Sequence, residues 1–62
     1  MDNKYEALII VKGKPEVFNV YSHSMNDAKA QAYNNALANA GLTVGRMNKS
    51  VEIVTIKKED DD

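Results

Sequence analysis

The chain has 62 residues, no cysteine and a single histidine, His23. This length supports one small domain with a limited core, and the lack of cysteine excludes disulfides and the usual zinc sites as its source of stability. No apolar run approaches the roughly 18 residues needed to cross a bilayer, and the first residues lack the charged and apolar regions of a signal peptide. We therefore expect a soluble protein with no metal, no cofactor and no membrane partner, and we take the cytoplasm as its default location.

The charge is unevenly distributed along the chain. Eight lysines and arginines oppose nine acids, but four of those acids lie in residues 59–62. Such a run of like charges without apolar residues is typical of a solvated segment. We expect a single domain over residues 1–58, with eight bases and five acids, followed by a disordered acidic tail over residues 59–62.

The first predicted element is a strand from Tyr5 to Lys12, and its centre is apolar on both faces. A run of five apolar residues, Ala7 to Val11, suits a central strand. Glycine and proline at positions 13 and 15 then predict a turn, followed by a second strand from Glu16 to Tyr21. If residues 13 and 14 form a two-residue hairpin loop, residue 9 faces residue 18 and residue 7 faces residue 20.

A helix is predicted from Met25 to Ala40, where the chain holds six alanines and no glycine, proline or β-branched residue. Ser24 followed by Asp27 is a capping pattern for its start, and Gly41 suits a Schellman ending. The apolar face of the helix consists mostly of alanines. We therefore expect its bulky contacts with the sheet to come from three residues: Met25, Tyr33 and Leu37.

The third strand is predicted from Val51 to Lys57, because five of its seven residues are β-branched. The element order is then β-β-α-β, an α+β fold with one helix on one face of a three-stranded sheet. Two strand orders, 2-1-3 and 1-2-3, are open, and we choose 2-1-3. That order places the most continuously apolar strand in the centre and gives the crossover its usual right-handedness.

The sheet face opposite the helix is predicted to be partly apolar. It would present Leu8, Ile10, Val17 and Tyr21, together with either Val54 and Ile56 or Val51 and Ile53 from the third strand. Exposed apolar patches of several hundred Å² usually mark interaction surfaces. Three interpretations are open: the half-exposed side of a small sheet, self-association through this face or the sheet edges to make a homodimer, or the site of another protein partner.

Catalysis has little support in the sequence. His23 has no cysteine to activate, the acids are dispersed or gathered in the tail, and the three glycines form no phosphate-binding pattern. We expect no enzymatic activity and no small-molecule substrate. Short chains of this kind often serve as protein-binding modules, including inhibitors and regulators carried by phages and mobile elements, and this is our leading expectation.

Nucleic-acid binding is the alternative. In the predicted topology, the hairpin turn and the loop after the helix lie at the same end of the sheet. Four bases, Lys12, Lys14, Arg46 and Lys49, would then meet near the helix C-terminus. Such a cluster could hold phosphates. It would equally complement the negative end of the helix dipole.

Overall fold

Residues 2–59 are described by a computed structural model, which contains three strands and one helix. The strands are β1 (Asn3–Val11), β2 (Lys14–Ser22) and β3 (Val51–Glu59), and the helix is α1 (Met25–Asn39). The strand order is β2-β1-β3, with β1 antiparallel to both neighbours. The helix packs against one face of the sheet. The predicted α+β fold and its 2-1-3 order are therefore confirmed.

The β1–β2 hairpin differs in register from the prediction. Its two-residue loop is formed by Lys12 and Gly13, because Val11 pairs with Lys14. Residue 9 therefore faces residue 16, and residue 7 faces residue 18, so the predicted register was wrong by two residues. The φ angles of Lys12 and Gly13, 51° and 83°, suit a tight hairpin turn of the primed type. An even shift keeps every side chain on its predicted face.

The strand β2 lies at one edge of the sheet and includes Pro15. Since Val11 and Lys14 close the turn as a hydrogen-bonded pair, Pro15 and Ile10 form the next pair, which is not hydrogen-bonded. The nitrogen of Pro15 therefore faces the open edge, where a missing donor costs nothing. Pairing with β1 extends β2 to Ser22.

The helix α1 begins and ends close to the predicted residues. Ser24 is the N-cap, and its hydroxyl accepts a hydrogen bond of 3.2 Å from the backbone nitrogen of Asp27. At the other end, Leu42 N donates to Leu37 O over 2.8 Å, and Gly41 N donates to Ala38 O over 3.1 Å. With Gly41 at φ 74°, these two bonds form a Schellman motif.

The core between helix and sheet is built from small helix residues. Ala28, Ala32 and Ala36 are fully buried, so the helix backbone lies close to the sheet. Leu37 is also buried, and Tyr33 packs at the margin of the core. Met25 does not supply bulk as predicted, because it stands in the first turn and is 38% exposed.

The strand β3 contains a β-bulge. Leu8 pairs with Thr55 while the next residue, Ile9, pairs with Ile53, which leaves Val54 as the extra residue. The bulge changes which side chains face the helix. Val51, Ile53 and Ile56 all pack on the core side, although strict alternation would place Ile56 on the opposite face.

The strand β3 also runs two residues farther than predicted. Lys58 and Glu59 pair with Tyr5 and Lys4 of β1, and the Lys4 Nζ lies 3.5 Å from Glu59 Oε1. Glu59 was assigned to the acidic tail, but pairing with β1 gives it a place in the sheet. The rest of that predicted tail, residues 60–62, lies outside the described residues.

Candidate binding surfaces

The open sheet face is the side of the sheet opposite α1. Pairing arranges its side chains in four rows across the strands. The two rows nearest the hairpin turn are apolar on β1 and β2, and their members are Ile10 beside Pro15 and Leu8 beside Val17. Leu8 and Ile10 are half-buried, and Val17 is 56% exposed. Among residues 2–59, no element covers this apolar cluster.

The fourth predicted contact residue, Tyr21, lies apart from this cluster. It pairs with Lys4 in the row farthest from the hairpin turn, and the row of Glu6 and Asn19 separates it from Val17. Tyr21 is 61% exposed. The structure thus brings together three of the four residues predicted for partner binding.

The predicted contribution of β3 to the open sheet face was wrong. Because of the bulge at Val54, this face receives Glu52, Thr55, Lys57 and Glu59 from β3 instead of two apolar residues. Lys57 Nζ lies 3.6 Å from Glu6 Oε1, in the same manner as the pair of Lys4 and Glu59. The open sheet face is therefore half apolar and half ionic.

The basic pole consists of Lys12, Lys14, Arg46 and Lys49, all of which are exposed. The structure places the hairpin turn beside the loop after α1, because Lys12 N donates to Ser50 O over 2.7 Å. The Lys12 ammonium group donates to Ala40 O, at the helix C-terminus, over 3.3 Å. One of the four cations is thus already engaged by the negative end of the helix.

A further surface, which we call the edge groove, was not predicted. It lies between α1, the 45–47 loop and the start of β3, and its volume is about 490 Å³. Its walls are mostly apolar, formed by Ala30, Tyr33, Met47, Val51 and Ile53. Met47 is 88% exposed, the largest exposure among the big apolar residues described. Lys29 and Arg46 bring positive charge to the groove, and Glu52 also lines it, although its side chain belongs to the open sheet face.

The loop that walls the edge groove is anchored to α1. The hydroxyl of Tyr33 accepts a hydrogen bond from Asn48 N over 2.9 Å. It also lies 3.0 Å from the carbonyl oxygens of Asn48 and Val51, and it can donate a hydrogen bond to either of them. Asn34 Oδ1 accepts from Gly45 N over 3.0 Å. These bonds fix both ends of the segment that carries Arg46 and Met47, so the groove is preformed. Only the exposed methionine in a loop could have signalled this site in the sequence.

The polar cluster at the start of α1 is structural. Asp27 Oδ2 accepts from Ser22 Oγ and from Gln31 Nε2, each over 2.7 Å, and Gln31 also donates to Tyr21 O. The hydrogen bonds from Ser22 and then Gln31 hold the pKa of Asp27 below its ordinary value. These contacts join the end of β2 to the helix, and they satisfy the hydroxyl of Ser22, which is buried.

Within residues 2–59, no three histidine, cysteine or acidic residues are grouped as metal ligands would be. The one helix of that range is too short and too polar to span a membrane. No protein family model, curated protein or solved structure matches the chain, so its function has to be argued from these surfaces alone.

Proposed function

We propose that the protein is a small non-enzymatic protein-binding module whose first partner is a second copy of itself. The observation that carries this proposal is the apolar cluster of Leu8, Ile10 and Val17, which no described element covers. Fully burying an exposed side chain of this size is worth roughly 1.5 to 3 kcal/mol, and covering these partly exposed residues would gain part of that amount. In a domain of 62 residues, this free energy is a larger fraction of the total stability than it would be in a large domain.

The charges on the open sheet face favour a second copy as the occupant. Lys4 and Lys57 stand beside Glu6 and Glu59 in two neighbouring rows, with signs that alternate. A face with balanced, alternating charges can meet its own copy about a two-fold axis without repulsion. An isologous dimer needs only one self-complementary patch, which makes it the commonest assembly.

Sedimentation equilibrium tests this proposal. The wild-type protein should sediment as a dimer, and Val17→Lys should be folded but monomeric, because it places a charge in the apolar cluster. Ala38→Lys is the matched control, since Ala38 is exposed on the helix, away from the open sheet face, and this variant should remain dimeric. A wild-type monomer at millimolar concentration, or equal loss of association in both variants, would refute the proposal.

We extend the proposal to the role of a cytoplasmic inhibitor or regulator, of the kind carried by phages and mobile elements. Its support is the small size of the domain and the large share of its surface that could contact a partner. In this role the dimer would present two copies of its remaining surfaces to the target protein.

Nucleic-acid binding through the basic pole is the second candidate. It is favoured by the hydrogen bond between Lys12 N and Ser50 O, which holds the turn and the loop together. Binding to duplex DNA should then weaken steeply with salt, with a logarithmic slope of about 0.9 for each phosphate contact. Replacing Lys14 and Lys49 by Gln should reduce this slope, whereas Lys58→Gln, at the opposite end of β3, should not. A slope near zero would exclude this function.

A further inference from the structure

The free edge of β3 and the edge groove adjoin one another. β3 pairs only with β1, so one side of this strand receives no further strand among the described residues. Since Lys12 N bonds to Ser50 O, alternation along the ladder directs the backbone groups of Val51 and Ile53 away from β1. The backbone groups of Val51 already have hydrogen-bond partners, because its nitrogen donates to Asn48 O and its carbonyl lies 3.0 Å from the Tyr33 hydroxyl. Ile53 is therefore the first residue whose edge groups can take a partner.

The same alternation continues beyond the bulge. Ile56 pairs with Ala7, whose backbone groups face β2, so those of Ile56 also face the free edge. Ile53 thus offers an N–H and a C=O beside the groove, and Ile56 offers a second pair farther along. A strand that paired there would direct alternate side chains toward the helix, and one of them would enter the groove.

The opposite edge of the sheet is less receptive. At one end of β2, Pro15 has no N–H to offer, and at the other the carbonyl of Tyr21 is bonded to Gln31 Nε2 over 3.1 Å. This edge is therefore protected at both ends. Among the described residues, only the β3 edge combines free backbone groups with an apolar groove.

The charges of the edge groove select among possible occupants. Within residues 2–59, neither Lys29 nor Arg46 has a carboxylate within 4.0 Å, and the one acid that lines the groove, Glu52, has its side chain on the open sheet face. Two cations that flank an apolar groove suit a segment in which an apolar residue is bracketed by aspartate or glutamate. Such pairing is the known mode of strand addition, in which backbone bonds supply affinity and side-chain pockets supply specificity.

We propose that the β3 edge and the edge groove bind an extended acidic peptide segment of a partner protein, with an apolar side chain of that segment in the groove. This surface is separate from the open sheet face, so the proposal does not depend on the proposed dimer. A dimer formed through that face would leave one groove free on each copy.

Selection from a phage-displayed library of random heptapeptides on the immobilised protein tests the proposal. Enriched sequences should share a large apolar residue flanked by acids. Their synthetic forms should shift the backbone amide resonances of Ile53, Val54 and Ile56 in the isotope-labelled protein. Methylation of the peptide nitrogens that face β3 should weaken binding at least tenfold, which a side-chain contact alone would not produce.

Two exposed alanines of α1 provide matched variants. Ala30→Glu places an acid in the groove and should weaken binding of the selected peptides at least tenfold, whereas Ala38→Glu, outside the groove, should change it less than twofold. Arg46→Gln should weaken binding and reduce its dependence on salt.

Several outcomes would overturn the proposal. They are an absence of enrichment, an enrichment of basic peptides, resonance shifts confined to Leu8 and Val17, or equal losses in the two alanine variants. Shifts of Ile53 and Ile56 that depend on protein concentration without peptide would show that a second copy occupies the edge, and would also refute it.

Discussion

Asp27 is the residue on which the junction between β2 and α1 depends. It accepts hydrogen bonds from Ser22 and Gln31 with its carboxylate, while its own backbone nitrogen donates to the Ser24 cap. Its negative charge also lies in the first turn, where it is favoured by the helix dipole. The side chain of Asp27 thus joins the strand end to the second turn of the helix, while its backbone nitrogen completes the cap.

The lowered pKa of Asp27 predicts a stability component that depends on pH. In the unfolded chain, an aspartate has a pKa of about 3.9. Because the folded protein releases this proton more readily, the component is complete above that pH and is lost as pH falls through the folded pKa. Asp27→Asn removes it. The difference in Tm between wild type and this variant should be largest near neutral pH and shrink below about pH 4.

Thermal melts across this range check the prediction. Asp2→Asn is the control, since it changes the same chemical group at a residue before β1. A constant Tm difference from neutral to acidic pH for Asp27→Asn would contradict it.

Lys12 occupies a conformation that lysine rarely adopts, because its φ is 51° in the hairpin turn. A residue with a side chain is destabilised by about 1 to 2 kcal/mol in this region of φ and ψ, and asparagine is destabilised least. Lys12→Asn should therefore stabilise the protein by roughly 1 kcal/mol, a rise in Tm of about 4 to 8 °C. The weak bond from the Lys12 ammonium group to Ala40 O is exposed and offsets little of this.

Differential scanning calorimetry checks this gain. Lys14→Asn makes the same substitution at the first residue of β2, and it should lower Tm slightly because asparagine is unfavourable in strands. If Lys12→Asn also lowered Tm, the turn would not have the geometry described.

Among the elements, the predicted and observed structures agree where the signal is local. The caps of α1 were readable because Ser24, Asp27 and Gly41 act through bonds within a few residues. The hairpin register was misjudged because a lysine at positive φ cannot be recognised from its identity. Gly13 is the one residue of this turn whose type favours a positive φ.

The spacing of the apolar residues in β3 indicates the bulge, but a reading that assumes strict alternation overlooks it. Val51 and Ile53 are two residues apart, but Ile53 and Ile56 are three apart, a break that one extra residue explains. The edge groove had no comparable signal, because it depends on a tyrosine of α1 reaching a loop 15 residues away. Its walls come from segments that only the fold brings together.

Deleting Val54 should therefore yield a folded protein. Without that residue, Thr55 and Ile56 can keep their partners Leu8 and Ala7 in a regular ladder, and no core side chain changes face. Circular dichroism should show a cooperative melt. The straightened edge should also self-associate at lower concentration, since bulges guard edges against pairing.

Deletion of Leu8 is the matched control for this experiment. Leu8 lies in the central strand, opposite Thr55 and Val17, where no bulge can absorb the loss. One end of β1 would turn its apolar side chains to the wrong face, so this variant should not fold. If deleting Val54 were as damaging, the bulge would be required for the fold.

At the scale of the whole molecule, few bulky side chains of the core are completely removed from solvent. Ile9 and Leu37 are the two largest apolar side chains that are fully buried, and several of the others are alanines. A chain of this length has a stability of about 3 to 9 kcal/mol. The free-energy cost of one misplaced charge in the core can therefore exceed the whole stability of the protein.

Neighbouring residues of β1 should respond very differently to the same substitution. Ile9 is fully buried beneath α1, and Ile9→Lys should abolish folding, because it places an unpaired charge in the core. Ile10 is half-buried on the open sheet face, and Ile10→Lys should remain folded. Far-ultraviolet circular dichroism separates these outcomes. Unfolding of both variants would show that the second face is also part of the core.

The position of β1 in the sheet has a consequence for synthesis. Of the four described elements, the central strand β1 is translated before the others, but one of its two partners, β3, is translated after them, and pairing with it extends to Glu59. The hairpin can form early, yet β1 keeps an unpaired side until residues 51–59 leave the ribosome. Folding is thus coupled to completion of this segment. A ribosome that stalls between α1 and β3 would hold an exposed, highly apolar strand, the kind of segment that aggregates or is bound by chaperones.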